Sequence, residues 1–169
     1  MITVEESGMT FGPFSENHFF HIEKCSVYFE IQNQVKMVEF IWYKQDESSS
    51  QIWLVEAKQS SPHPGNREDW ENYLGELKEK FENGLNLFIA LCLRRHTDPD
   101  FHETIRAIDL GNIPFKITLV IKDHKSEWLP PLKDALQQML LPLCKTLNLI
   151  NNPVMVLNDQ MALTKGLII

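Results

Sequence analysis

Two segments of this chain are apolar on both of their alternating faces, and each carries charge in its interior. They are Val35-Lys-Met-Val-Glu-Phe-Ile-Trp-Tyr43 and Gln51-Ile-Trp-Leu-Val-Glu-Ala-Lys58. Both are rich in β-branched and aromatic residues, and a polar, serine-containing stretch (residues 45–50) joins them, so they read as a β-hairpin. Strands apolar on both sides belong in the middle of a layered domain, where no wet face is on offer. An unpaired ionised carboxylate in such surroundings costs several kcal/mol or shifts its pKa. Glu39, Glu56 and Lys58 therefore need a reason to be there. Glu56 and Lys58, two residues apart, point the same way, with roots about 6–7 Å apart. Two acids converging beside an ammonium suggest a site for a divalent cation. On a wet sheet face the same residues would be an ordinary ion pair.

The rest of the chain supplies the other parts of one α/β domain spanning residues 1–169. Residues 1–18 read as an N-terminal arm. Residues 19–31 fit either a short strand entering a helical turn or one amphipathic helix. The loop after Lys58 has two prolines and a glycine (Pro62, Pro64, Gly65), strong turn chemistry. Asn66 can cap the helix that follows, in which Trp70, Leu74, Leu77, Phe81 and Phe88 form an apolar stripe. Glu71, Glu76, Glu79 and Lys80 are read away from that stripe, and Lys78 and Lys80, alternating with glutamates, as a solvated face. Gly84 is expected to bend or divide the helix, with the apolar residues 86–93 continuing it. Residues 115–123 read as a strand with one covered face. Pro130-Pro131 opens a helix to about Leu149, kinked at Pro142. Residues 153–157 read as a last strand, and residues 158–169 as a C-terminal tail. The expected sheet is mixed: the hairpin, then helix, strand, helix and strand, with helices flanking it.

Composition narrows the function classes. With 43% hydrophobic and 23% charged residues, the chain is an ordinary globular sequence. It has no apolar run long enough for a bilayer and no signal-peptide pattern at its start. The three cysteines, Cys25, Cys92 and Cys144, form no metal-ligand spacing; two lie among leucines and read as buried thiols in a reducing compartment, so the expected location is the cytoplasm. The net charge of −7 argues against a dedicated nucleic-acid binder, whose affinity comes largely from phosphate neutralisation. Such binding would need basic residues gathered on one face, or a partner subunit.

An acid on one strand, then Glu-x-Lys near the end of its hairpin partner, then a helix and further strands, resembles the PD-(D/E)xK (restriction-endonuclease-like) nuclease superfamily. Here the motif is Val55-Glu56-Ala57-Lys58, with Val38-Glu39 where the family has Pro-Asp or Asp. The resemblance covers residues 19–157 and implies a restriction-endonuclease-like fold and metal-dependent phosphodiester hydrolysis, in DNA first of all. It implies Mg²⁺ or Mn²⁺ held by Glu39 and Glu56 with the backbone carbonyl of Ala57. Lys58 would orient or deprotonate the attacking water. A further acid from the segment before the first strand would be Glu23, or else Glu30. Such a chain would work as a homodimer or within a larger defence or repair assembly, and the apolar tail could pack against another copy.

Two other classes compete. A catalytically inactive module of the same fold could hold a protein partner, and a different enzyme could bind a small phosphorylated ligand at the same acids, though no glycine-rich phosphate loop supports it. His18 and His21 could share a helix face, yet a pair without a third ligand is weak zinc evidence. His63, in the loop after the motif, reads as a surface histidine within reach of a phosphate. Arg94-Arg95-His96 reads as a cation patch at a helix C-terminus. Trp70 and Tyr73 offer rings for base stacking, although core packing explains Trp70 more simply.

Overall fold

A computed structural model describes residues 1–149 and 152–169. Its centre is a five-stranded mixed sheet in the order β3 (Phe19–Phe20), β4 (Phe40–Gln45), β5 (Ser50–Lys58), β6 (Phe115–Ile121), β7 (Val154–Asn158). β4 and β5 pair antiparallel as the expected hairpin, with Phe40 opposite Val55 and Gln45 opposite Ser50. β6 and β7 then add in parallel. The parallel pairs require crossovers, supplied by the long helix α2 (Arg67–Cys92) and by α4 (Leu129–Thr146). Short helices α1 (Ser26–Ile31), α3 (Glu103–Arg106) and α5 (Asp159–Thr164) complete the domain.

The apolar character of both strand faces is explained by layers on both sides. Ile41, Ile52, Leu54, Ile117 and Leu119 pack against Leu77, Phe81 and Phe88 of α2 and Leu132, Leu136 and Leu140 of α4. Phe40, Trp53, Val55, Val120 and Leu157 form a second core on the opposite face. Burying each such side chain contributes about 1.5–3 kcal/mol.

That second core is closed by parts the sequence reading left unassigned. The N-terminal arm is a hairpin, β1 (Ile2–Glu6) and β2 (Met9–Phe14), turning at Ser7 and Gly8, both at positive φ. The tail is not a free apolar surface: Leu167 is fully buried and Ile168 nearly so, and Ile168 bridges to Phe11 of β2. The tail thus packs within its own domain instead of presenting Leu167 and Ile168 to another copy.

Two further expectations change. The first motif strand begins at Phe40, not Val35, because the chain leaves the sheet there. Met37 and Val38 are both buried and the alternation is lost. Gly84 does not break α2, which runs uninterrupted for 26 residues. A Cβ there would lie 2.7 Å from Val38 Cγ2, so the glycine is the notch that lets the helix sit on the segment leading to Glu39. α4 likewise continues past Pro142. The three cysteines are free thiols, Cys25 buried and the other two half-buried.

Candidate metal-binding and catalytic site

Glu56 follows Ile52 and Leu54 on the face of β5 that meets α2, and its side chain is fully buried there. From α2 come Tyr73, Glu76 and Lys80, at helical spacings of three and four that place them on one side. The Lys80 ammonium lies 2.8 Å from Glu56 Oε1 and 4.0 Å from Glu39 Oε1. Lys58 stands 3.2 Å from Glu56 Oε1 and 2.8 Å from Glu76 Oε1. Glu39 enters just before β4: its N–H donates to the Val55 carbonyl at 3.0 Å, and its carbonyl accepts from the Glu23 N–H at 3.3 Å.

The residues singled out from sequence therefore meet. Glu39, Glu56 and Lys58 share one cluster, and Glu23 joins it from a 3-10 turn (Ile22–Lys24). Glu30 is exposed on α1. The Ala57 carbonyl points to the same edge of β5 as that of Val55, two residues back. It accepts a 3.0 Å hydrogen bond from Ser7 Oγ at the tip of the N-terminal hairpin, a partner that the sequence reading of Ala57 as a metal ligand did not include.

Electrostatically the cluster is over-supplied with acid. Glu23, Glu39, Glu56 and Glu76 face the ammonium groups of Lys58 and Lys80. Burial pushes the Glu39 carboxyl up to about 9, helped by a hydrogen bond shared with Glu23 and by the charges of Glu56 and Glu23. Burial also raises Glu56, against the opposing pull of Lys80 and Lys58. For both lysines burial works against the charged form, but the acids win: Glu76 and Glu56 raise Lys58, and Glu56 with Glu39 raises Lys80. Lys58 in turn lowers Glu76 through its hydrogen bond. Tyr73 is raised by burial and then by Glu56 and Glu76, and its hydroxyl has no partner.

Glu39 Oε2 and Glu56 Oε2 are likewise buried without a hydrogen-bond partner. Buried carboxylate oxygens are normally satisfied, so each of these two lacks the partner that burial calls for. Glu39 also belongs to a second grouping. One ligand atom each from Glu6, His21 and Glu39 lies within 4.8 Å of the others, a set that could hold a metal ion. His21 Nε2 is 3.3 Å from Glu6 Oε1, which also takes Lys24 at 3.2 Å. Burial and then Lys24 lower His21, and a neutral imidazole is the form that ligates metal. Glu39 is the corner the two groups share.

Sequence reasoning missed Lys80, Tyr73, Glu76, Glu6 and the use of His21. Lys80 had been read as solvated, yet its side chain is only 12% exposed. The signal was present: residues 73, 76 and 80 flank the stripe of Leu74, Leu77 and Phe81, and an amine so close to a core is unusual. Glu6 and His21 carried no such pattern, since only the hairpin's docking brings them to Glu39. His18 sits apart, edge-on to Tyr43 with ring centroids 5.0 Å apart. Comparison with protein-family models, with curated proteins and with solved structures finds no match to this chain.

Proposed function

We propose that this chain is a divalent-metal-dependent nuclease of the PD-(D/E)xK type, hydrolysing phosphodiester bonds, with DNA as the first substrate to test. The observation that carries the reading is the pair of buried acids, Glu39 and Glu56, both reached by Lys80, with Lys58 standing 3.2 Å from Glu56. The order of strands supports it as well. A hairpin bears Glu56 and Lys58, with Glu39 just before its first strand, and a long helix then leads to a parallel strand.

The donor set fits a hard divalent cation. Glu39 and Glu56 offer carboxylate oxygens, and Glu39 also groups with Glu6 and His21 within 4.8 Å, a set that does not include Glu56. The imidazole favours Mn²⁺ over Mg²⁺. When bound, such an ion polarises a phosphoryl group and acidifies a water for attack. The chain's own residues do the rest. Side-chain exposure rises from 0% at Glu56 through 23% at Lys58 to 38% at Glu76, which marks the way in. Lys58, held by Glu76, keeps donors at that mouth for a phosphoryl oxygen and offsets charge developing on it. Lys24 and Lys36, 60% and 52% exposed, stand near by as local cations despite the acidic total. Lys80 is the counter-ion of Glu56, 2.8 Å from its Oε1, and would loosen its hold if a bound ion took up that carboxylate's charge.

A second reading has its own observation. The Lys80 ammonium reaches both acids, so the chain itself partly fills the space between them, as a catalytically inactive module that binds a protein partner would. The experiment that decides is incubation of the purified protein with linear, circular and single-stranded DNA plus Mn²⁺, beside Lys58→Ala. The nuclease reading expects cleavage by the native chain and a loss of about 100-fold or more in the variant. Equal cleavage by both points to a contaminant, and cleavage by neither leaves the binding module ahead.

A further inference from the structure

Beyond the end of β5 the chain builds a cavity that the acid site does not use. Its volume is about 420 Å³, and its walls include Pro62, His63, Trp70, His124, Trp128 and Pro131. It lies outside the carboxyl ends of the parallel strands β5 and β6, the usual place for a ligand in an open α/β sheet. Lys58 closes β5, and its carbonyl accepts from Lys122 N–H at 3.0 Å just beyond β6; His124 follows two residues later. Trp70 precedes Tyr73 by one turn of α2. The cavity and the acid cluster are therefore neighbours along the same two elements.

Its chemistry is that of a flat, uncharged, hydrogen-bonding ring system. Trp128 is 46% exposed, a large apolar surface left to water at the cavity. The His124 ring stands edge-on to it, with centroids 5.5 Å apart. His124 Nε2 is buried with no partner. Burial lowers its pKa and so favours the neutral ring. His63 is fixed by the Gly65 N–H donating to its Nδ1 at 2.9 Å, which leaves Nε2 as the protonated nitrogen. Lys125 holds its ammonium over one face of the Trp128 ring, 4.7 Å from its centre, which leaves the opposite face for stacking and a cation close by for an attached phosphate.

We infer that this cavity receives the base of an unpaired nucleotide, stacked on Trp128, with the adjoining phosphates running toward Lys125 and Lys58. The inference rests on the nuclease reading for the direction of the strand, and it narrows the substrate to single-stranded or frayed ends. Aromatic side chains stack on any base, each contributing on the order of 1–3 kcal/mol, so the pocket selects strandedness more than sequence.

The test is a tryptophan-fluorescence titration of the metal-free protein at low salt with three probes. They are a short single-stranded oligodeoxynucleotide, an abasic strand of equal length and charge, and a proline-rich peptide. We expect the base-bearing strand to bind about tenfold or more tightly than the abasic one. Trp128→Ala should erase that difference and Trp128→Phe should restore most of it. Equal binding of the two strands, no binding of either, or quenching by the peptide alone overturns the inference. The two readings fail separately. Base-dependent binding without any DNA cleavage would sink the nuclease and keep the pocket, and cleavage with no preference for bases would do the reverse.

Discussion

Glu39 sets stability against the proposed metal site at the scale of one side chain. Below about pH 4.5 its carboxyl is protonated in both folded and unfolded chains. Between there and about 9 the folded protein holds a proton that the unfolded chain has released. Its contribution to stability is thus fully present at low pH and declines as pH rises through that window. Glu39→Gln keeps the shape and removes the charge, so it should raise metal-free stability at pH 8 by about 1–2 kcal/mol while abolishing Mn²⁺ binding. Urea denaturation at pH 5 and pH 8 checks this; a gain equal at both pH values would contradict it. Lys80 poses the opposite case. Lys80→Met leaves Glu56 with Lys58 as its ammonium partner and should cost about 3 kcal/mol without metal. Saturating Mn²⁺ should then raise the melting temperature more in the variant than in the native chain, because the two cations compete for the charge of the same two carboxylates. An equal rise would show that they do not.

At the scale of elements, the cluster depends on how α2 lies against the segment before β4. A mid-helix Gly→Ala change ordinarily gains about 1 kcal/mol. Here the added methyl meets Val38 Cγ2 at 2.7 Å, and overpacking of this kind costs about 1–3 kcal/mol. Gly84→Ala should therefore be destabilising in urea melts, and Val38→Ala combined with it should recover part of the loss, a coupling that two independent sites would not show. The same contact explains why Gly84 was misread. Composition marks glycine as a helix breaker, and only the neighbouring chain reveals it as a point of close approach. The β4–β5 hairpin and the order of later elements were legible, because apolar alternation bounded by polar turns is a local signal. Lys80 is half legible: its spacing is in the sequence, but a charge alternating with glutamates points to solvent, whereas the side chain is only 12% exposed.

At the scale of the molecule, two layers close over one sheet and decide what Glu39 sees. The N-terminal hairpin brings Glu6 beside Glu39 and Ser7 onto the Ala57 carbonyl, and the tail seals the core beneath it. Ser7-Gly8 between Glu6 and Met9 is a two-residue turn that could have been read from sequence. Where the hairpin docks could not, since that depends on contacts far apart in the chain. The net charge of −7 has a local counterpart here, since Lys24, Lys36 and Lys58 are each paired to glutamates of a cluster that holds more acids than amines. The central claim is that Glu39 and Glu56 share one divalent ion. Anomalous diffraction from a crystal soaked in Mn²⁺ tests it most directly. The account predicts a peak bonded to both carboxylates with the Lys80 ammonium drawn away; Lys80 still on Glu56 with no peak beside Glu39 would contradict it.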